Sequence, residues 1–213
     1  MIQLVQGAYP GENIDIIDKM FRLRAKVFND RLGWDVKVSN HREMDQFDEL
    51  NPLYVVETDE HRNVLASLRL LPTTGPHMLS DVFSELMEPE DIIRSPRVLE
   101  SSRFAVDTEL LGHLPNGLST VTGKLLCALL ETARAAGVDF VISVYDVRME
   151  RILRRAGCGF ERLCQPRRIG DVLTVAGLCE TAAAVSDEIR ARNHLSGSIF
   201  ADPKWMTSLP IAA

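Results

Sequence analysis

The amino-acid sequence predicts a single α/β domain, residues 1–213, in which a mixed β-sheet lies between two layers of helices. The chain has 213 residues, of which 46% are hydrophobic and 25% charged, as is typical of one globular domain with a substantial core. Apolar segments of strand length alternate with segments of helical period. Both hairpins and helical connections join the predicted strands, so parallel and antiparallel pairs should share one sheet.

The elements follow from local patterns in chain order. Strands are predicted at residues 1–5, 53–58, 64–71, 98–106, 140–145, 160–164 and 172–178. Helices are predicted at residues 12–32, 118–136, 147–156 and 182–193, with a short helical piece at 79–86. Gly137 and Gly157 end two of these helices, as glycine commonly does. Residues 33–52 are polar and predict a long loop, and long loops within a domain are usually functional or disordered.

Targeting signals and cysteine motifs are missing from the sequence. No stretch approaches the roughly 20 apolar residues needed to cross a bilayer. The first residues, MIQLVQGAYPGENID, lack the basic start and apolar core of a secretory signal. Four cysteines, at positions 127, 158, 164 and 179, form neither a CxxC pair nor a metal-ligand spacing. We therefore expect a cytoplasmic protein that does not bind membranes and whose cysteines are small buried hydrophobes.

Charge is distributed unevenly along the chain. The whole chain has 24 basic and 30 acidic residues, a net charge of −6, whereas residues 147–170 contain seven arginines and two glutamates. A local basic patch on an acidic protein argues against general nucleic-acid binding. It suits an acidic partner or a phosphate-bearing ligand, although a solvated helix face explains the same pattern.

Two arginines occupy positions where apolar residues are expected. Arg24 falls on the apolar stripe of the first helix, where a guanidinium is costly unless it meets an anion. That anion is either a ligand or a carboxylate of Asp45 or Asp48. Arg69 alternates with apolar residues of the strand at 64–71 and either binds a carboxylate or phosphate bidentately or is an edge residue that points at water.

The strand at 98–106 contains a charged pair, Glu100 and Arg103. Strict alternation would send the two side chains to opposite faces. One β-bulge between them would bring both to one face and free backbone N–H groups for an extended ligand, and bulges are over-represented beside active sites. The alternative is an edge strand with a solvated charged pair.

The loop at 33–52 carries Trp34, Asp45 and Asp48. The tryptophan either anchors the loop to the core or offers its ring to a cation, and two aspartates three residues apart can hold an ammonium group. A metal site is not expected, because nothing nearby completes an oxygen shell. The sequence also lacks GxGxxG, Walker, HExxH and GxSxG motifs.

At these residues the sequence resembles the LuxI-type autoinducer synthases, which make N-acyl-homoserine lactones from S-adenosylmethionine and an acyl thioester. The resemblance rests on the segments FRLRAKVF, GWD, MDQFD, SLRLLP, LESSRFAVD and ILRRAG, with Phe83 after the Gly-Pro turn. It implies a GNAT-like three-layer α/β/α sandwich with a mixed central sheet and a V-shaped cleft beside the bulged strand. It also implies that the loop at 33–52 folds over the adenosylmethionine.

The resemblance implies a set of adenosylmethionine contacts: Arg24, Phe28, Trp34, Asp45, Asp48, Phe83, Arg103 and Phe104. Phe28, Trp34 and Phe104 would offer apolar and π surface to the sulfonium cation. The two aspartates would hold the ammonium and order the loop, with Arg24 as their partner. Arg103 would fix the carboxylate, and Phe83 would close the acyl side.

The catalytic residues implied by the resemblance are Glu100 and Arg103. Glu100, directly or through one water, would take the proton of the α-amine before it attacks the thioester. Backbone N–H groups of residues 103–106 would stabilise the oxyanion. The carboxylate would then displace the sulfonium sulfur, releasing methylthioadenosine and closing the lactone, so we expect no cofactor and no metal.

Contacts to the pantetheine and acyl chain are implied for Arg69, Ser102, Val106, Ile142, Ser143, Val144, Met149 and Leu153, with Val175 beside them. Arg69 would brace the site or reach the thioester donor. Members that make 3-oxo-acyl signals tend to have threonine at the position of Ser143. The serine here argues against a 3-oxo product, although its hydroxyl could still donate to a keto oxygen.

The basic segment fits docking of an acidic acyl carrier protein on Arg148, Arg151, Arg154 and Arg155. It fits the phosphates of a coenzyme A donor equally well. We also expect the enzyme to be a monomer.

Two other functions compete with that of a synthase. An acetyl-CoA-dependent N-acetyltransferase would need a Gln/Arg-x-x-Gly-x-Gly/Ala turn that GHLPNGLSTVTGK does not supply. An inactive adenosylmethionine sensor is disfavoured because both Glu100 and Arg103 are retained.

Overall fold

The strands and helices lie close to their predicted positions in the computed structural model, which describes residues 1–7, 11–112, 117–202 and 204–209. The strands are β1 (Ile2–Gln6), β2 (Val38–Ser39), β3 (Arg42–Glu43), β4 (Leu53–Thr58), β5 (Val64–Pro72), β6 (Val98–Val106), β7 (Phe140–Asp146), β8 (Glu161–Arg162), β9 (Arg167–Ile169) and β10 (Val172–Glu180). The helices are α1 (Ile14–Arg24), α2 (Met78–Asp81), α3 (Thr108–Leu111), α4 (Gly117–Ala135), α5 (Val147–Ala156) and α6 (Ala183–Arg192).

One mixed sheet contains most of the strands, in the order β1-β4-β5-β6-β7-β10-β8, with β9 also paired to β10. Strands β6 and β7 are parallel, because the long helix α4 connects them, and the other neighbours in this sheet are antiparallel. Strands β2 and β3 form a separate hairpin. The mixed sheet therefore confirms the prediction.

Helices cover both faces of this sheet. On one face α4, α5 and α6 pack against the main core, which includes Leu68, Leu70 and Val141. On the other face α1 packs against Tyr54 and Val56. Helix α2 covers the same face farther along the sheet through Leu79, which is completely buried. The three-layer architecture is thus confirmed.

The structure differs from the predicted elements in several places. One is strand β9, which was not predicted and pairs with β10. Helix α1 continues directly into a π-helix over Ala25–Arg31, which the apolar period did not reveal. The predicted strand at 160–164 pairs as a strand only over β8, although the N–H of Leu163 still donates to the Ala176 carbonyl of β10 at 2.9 Å. The short helix α3 follows β6 and was not predicted.

The loop at 33–52 is more ordered than its polar composition predicts. It contains the hairpin of β2 and β3 and a 3-10 helix, Gln46–Leu50. The N–H of Phe47 donates to the Asp45 carboxylate, and the N–H of Asp45 donates to the Asp48 carboxylate. These two hydrogen bonds fix the start of the 3-10 helix and turn both carboxylates inward. Among the described residues, no helix is both long and apolar enough to span a membrane.

Candidate active site

Strand β6 contains the predicted bulge. Ser67 pairs with Ala105 and Arg69 pairs with Ser102, so Arg103 and Phe104 together oppose the single residue Leu68. The bulge therefore lies at Arg103 itself, just beyond the predicted position. Arg103 has a φ of 56°, in the left-handed region that non-glycine residues rarely occupy. The edge-strand alternative is wrong, because β6 lies between β5 and β7.

A cleft opens next to the bulge, where β6 and β7 part. The two strands pair only at residues 98–100 and 140–142. The last link is a side chain: the Ser143 hydroxyl donates to the Ser101 carbonyl at 2.8 Å. Beyond it the facing backbone edges of the two strands are not paired with each other, as the V-shaped cleft expected from the resemblance requires.

An ion-pair cluster of three arginines and three carboxylates lies on this face of the sheet: Arg24, Arg69, Arg103, Glu43, Asp45 and Asp48. Arg24, at the C-terminal end of α1, donates to Glu43 at 2.6 Å and bidentately to Asp48 at 2.8 and 2.9 Å. All these groups are buried, so the salt bridge to Asp48 is the correct alternative for Arg24. This residue holds the site together and is not positioned to touch a ligand.

Asp48 is the centre of the cluster, and its side chain is 1% exposed. Its carboxylate accepts hydrogen bonds from Arg24, Arg69, the Tyr54 hydroxyl and the Asp45 N–H. Burial by itself raises the pKa of the Asp48 carboxyl. The hydrogen bonds and charge of Arg24, together with the charge of Arg69, outweigh burial and hold this pKa well below its usual range. The expectation that Asp48 holds an ammonium group is therefore corrected, because its oxygens are already used within the protein.

Arg69 lies in the interior strand β5 with a side chain that is 0% exposed, so the edge alternative is wrong. It donates to Asp45 at 2.5 and 3.0 Å, to Asp48 at 2.8 Å and to the Ser102 hydroxyl at 3.1 Å. Burial opposes its charge, but the two aspartates outweigh burial and raise the pKa of Arg69. Of its two implied roles, the geometry supports bracing and not contact with the thioester donor, and Ser102 is likewise turned toward Arg69.

Arg103 and Asp45 form the exposed edge of the cluster. Their side chains are 11% and 17% exposed, and Arg103 Nη2 lies 2.7 Å from Asp45 Oδ2. Arg103 also donates to Glu43 at 3.1 Å and to the Met78 sulfur at 3.4 Å. A cation and an anion thus lie side by side at the opening of the cluster.

Glu43 is the functional residue that sequence reasoning missed. It lies on β3 within the polar loop and is completely buried between Arg24 and Arg103. Counting charges in the expected site could have identified Glu43, because three buried arginines need a third carboxylate besides Asp45 and Asp48.

The aromatic residues divide between the two faces of the sheet. Phe28 stacks on Trp34 with ring centroids 5.2 Å apart, and the Arg103 guanidinium lies 5.6 Å from the Phe28 ring centre. Phe83 packs beside Leu79 on the same face. Phe104 instead packs against the main core. Its implied place beside Phe28 and Trp34 is corrected, because the bulge puts Arg103 on the same face as Ser102 and so turns the next residue, Phe104, to the opposite face.

The implied acyl-chain residues are similarly divided. Ile142 and Val144 pack with Leu79 and Phe83 on the cleft face. The others pack into the main core on the opposite face: Val106, Met149, Leu153 and Val175. Ile142 and Val144 therefore face the cleft, whereas a place at the acyl site for Val106, Met149, Leu153 and Val175 stays a prediction.

Glu100 lies on the same face as Arg103, as predicted, and both touch Met78. Its side chain is 1% exposed, and its two oxygens accept the N–H groups of Met78 and Leu79 at 2.7 Å each. Burial raises the pKa of Glu100, against the opposing effect of these hydrogen bonds. Direct contact with a substrate amine is not available in this arrangement.

The arginines of α5 lie on the surface. Arg148 is paired with Asp146 at 3.0 Å. Arg151, Arg154 and Arg155 are exposed and form no ion pair within the described part of the chain. In those same residues no group of three or more His, Cys, Asp or Glu side chains could hold a metal ion, and the four cysteines are free.

The three-layer fold and the parted strands β6 and β7 define a protein with a GNAT-like acyltransferase fold. An acyl-CoA N-acyltransferase from Pseudomonas aeruginosa shares this fold with a TM-score of 0.55, covering 84% of this chain and 97% of its own at 15% identity. The chain belongs to the autoinducer synthase family, whose family model matches residues 11–189.

Individual relatives agree with this assignment. An acyl-homoserine-lactone synthase of Rhizobium radiobacter is 39% identical over 162 residues, 76% of each chain. The solved structure of the AHL synthase LasI has a TM-score of 0.79 at 30% identity and covers 90% of this chain and 94% of its own. That of MesI, a CoA-dependent acyl-homoserine lactone synthase, has a TM-score of 0.80 at 27% identity and covers 95% of this chain and 100% of its own.

Removing the central carboxylate should destabilise the fold. We expect Asp48→Asn to lower the free energy of unfolding by about 3–5 kcal/mol at pH 7, measured by urea denaturation, because it leaves buried guanidinium groups without a counter-charge. Asp15→Asn is the control, since the Asp15–Arg62 pair is exposed and should have little effect.

The same variant has a pH signature. Because the pKa of Asp48 is lowered in the folded protein, its stabilisation is complete above the unfolded-state pKa of about 3.9 and is lost as pH falls toward the folded-state value. The deficit of Asp48→Asn should therefore be constant at neutral pH and shrink below about pH 4. A variant as stable as the wild type at pH 7 would show that the cluster does not depend on Asp48.

Proposed function

We propose that the chain synthesises N-acyl-homoserine lactones, the activity named for its relatives, by acylating the amine of S-adenosylmethionine from an acyl thioester. The observation that carries this proposal is the Arg103–Asp45 pair beside the stacked rings of Phe28 and Trp34. A partly exposed cation and anion match the carboxylate and ammonium of an amino acid. An adjacent π surface matches the sulfonium charge of adenosylmethionine.

In this proposal Arg103 binds the carboxylate, Asp45 binds the amine, and Phe28 and Trp34 face the sulfonium. Arg24, Arg69, Asp48 and Glu43 hold those groups in place from beneath, where solvent does not reach them. Binding of the amino-acid part must separate or share the 2.7 Å contact between Arg103 and Asp45. No described contact has to break deeper in the cluster.

The chemistry needs an unprotonated amine, and an α-amine with a pKa of about 7.7–8.0 supplies a substantial fraction of it near neutral pH. The amine attacks the thioester carbonyl, and backbone N–H groups of residues 103–106 stabilise the oxyanion of the tetrahedral intermediate. When this intermediate collapses, it expels the thiolate, which takes up a proton. The substrate carboxylate then attacks Cγ, the C–S bond breaks with its electron pair on sulfur, and methylthioadenosine leaves. For Glu100 to act as the base, a water would have to lie between its carboxylate and the amine.

We place the thioester arm in the cleft between β6 and β7, where unpaired backbone edges can hydrogen-bond an extended chain. The acyl chain would then lie over Ile142 and Val144, with Phe83 closing the end. The Ser143 hydroxyl already donates to Ser101, which supports an acyl group without a 3-oxo function. Both substrates are made inside the cell, so the proposal places the enzyme in the cytoplasm.

The donor would dock on the exposed arginines of α5, and we propose an acidic acyl carrier protein as that donor. The three unpaired arginines, Arg151, Arg154 and Arg155, project from one short helix and present positive charge on an otherwise acidic chain. A coenzyme A thioester, as named for MesI, is the alternative that a donor assay distinguishes.

The product identifies the reaction and its donor together. We expect purified protein with adenosylmethionine and a panel of acyl-carrier-protein and acyl-CoA thioesters to form an acyl-homoserine lactone and methylthioadenosine in equal amounts, measured by mass spectrometry. Acyl transfer to another amine would indicate an N-acyltransferase of different specificity. Adenosylmethionine binding without product from any donor would instead indicate a sensor.

Arg103→Ala should weaken adenosylmethionine binding by at least about tenfold, measured by calorimetry, because it removes a charge-assisted contact to the carboxylate. Arg97→Ala is the matched control, since Arg97 is an exposed arginine paired with Asp139. Wild-type affinity in Arg103→Ala would remove Arg103 from the substrate site.

Charge reversal on α5 tests the docking surface. The double variant Arg151→Glu, Arg155→Glu should raise KM for the acyl carrier protein substrate by about tenfold or more while KM for adenosylmethionine stays constant. The control reverses Arg22 and Arg97, two exposed arginines that do not lie on α5. An equal effect of both double variants would show that net charge matters and that α5 is not the docking surface.

A further inference from the structure

The environment of Glu100 points to a different task from proton transfer. The two carboxylate oxygens accept the N–H groups of Met78 and Leu79, the first two residues of α2. Each distance is 2.7 Å, and within the described residues no side-chain cation is hydrogen-bonded to Glu100. The carboxylate thus serves as an internal anion for the start of this helix, where unpaired N–H groups favour negative charge.

Helix α2 depends on such an anchor. It contains four residues, far fewer than an isolated helix needs for stability in water. Its position must therefore come from contacts with the rest of the fold. Glu100 lies on the interior strand β6, so it ties α2 to the central sheet.

Both residues that Glu100 holds face parts of the candidate site. The Met78 sulfur accepts a hydrogen bond from Arg103 Nη1 at 3.4 Å, while Nε and Nη2 of the same guanidinium contact Glu43 and Asp45. Leu79 is completely buried in one cluster with Ile142, a predicted acyl-site residue that faces the cleft. A shift of α2 would disturb the grip on Arg103 and the acyl surface together.

We propose that Glu100 is a positioning residue that fixes the first turn of α2 and, through Met78, the guanidinium of Arg103. This inference rests on the proposed function, because Arg103 is taken to bind the carboxylate of adenosylmethionine. It assigns Met78 a positioning role in the same site. The substrate amine then loses its proton to solvent and not to Glu100.

A double-mutant cycle tests the connection. Glu100→Gln retains one acceptor for an N–H of α2 but turns an amide N–H₂ toward the other, so the anchor is lost in part. Met78→Leu keeps the apolar volume and removes the sulfur that faces Arg103. We expect each variant to raise the calorimetric Kd for adenosylmethionine several-fold, and the double variant to raise it by no more than about the larger single effect.

Steady-state kinetics separate positioning from base catalysis. If Glu100 positions Arg103, Glu100→Gln should raise KM for adenosylmethionine and leave the pH profile of kcat unchanged in shape. If Glu100 is the base, kcat should fall by about 10²- to 10⁴-fold with unchanged affinity, and the acidic limb of the profile should change. That second result, or independent effects of the two substitutions in the cycle, would overturn the proposal.

Two controls keep the test decisive. Met44→Leu makes the same substitution at an exposed methionine and should bind adenosylmethionine as the wild type does. If Glu100→Gln does not fold, Met78→Leu alone decides, and wild-type affinity in that variant would refute the path through Met78. The calorimetric cycle does not need turnover, so a wild-type enzyme that makes no lactone contradicts the proposed function while the cycle still tests the anchor.

Discussion

The hydrogen-bonded carboxylate of Asp48 is the contact on which the rest of the site depends. It accepts from Arg24 on α1, from Arg69 on β5 and from Tyr54 on β4, so it joins a helix to two strands of the sheet. Burying three guanidinium groups would be prohibitive if each stood alone, but three carboxylates neutralise them within hydrogen-bonding distance. Asp45 caps the 3-10 helix Gln46–Leu50, which contains Asp48, so the site is complete only when this loop is folded.

This arrangement explains why the cluster has a buried and an exposed part. The buried pairs are closed to solvent, and replacing either partner leaves an uncompensated charge. Arg103 and Asp45 lie at the edge, where a ligand can replace the interaction that each group makes with the other. The buried ion pairs hold Arg103 and Asp45 in place before the substrate arrives. The site is therefore preorganised, because the protein does not have to order these side chains on binding.

Local patterns in the sequence indicated which charged residues occupy unusual positions, but they did not identify all the residues with which these form ion pairs. Arg24 and Arg69 stood out because an amphipathic helix and an alternating strand each define where apolar residues belong. Glu43 did not stand out, since a glutamate in a polar loop breaks no local rule. Met149 and Leu153 were assigned to the acyl site, but they lie on α5, so their side of the sheet depends on where that helix packs. Val175 was assigned to the same site, but its face depends on the pairing of β10 with β7. Val175 lies opposite Tyr145, one residue out of phase with Ile142 and Val144, and only the register reveals that difference.

The bulge at Arg103 connects the backbone to the chemistry. A positive φ angle at a non-glycine residue costs of order 1–3 kcal/mol and persists only where surrounding contacts over-determine it. Arg103 has such contacts in Glu43, Asp45, Met78 and the Phe28 ring. A regular strand would place this side chain on the opposite face, in the main core, where Phe104 now packs. The strained backbone at Arg103 thus allows β6 to direct Glu100, Ser102 and Arg103 to one face. The contacts that stabilise this strained conformation are those that a bound carboxylate would share.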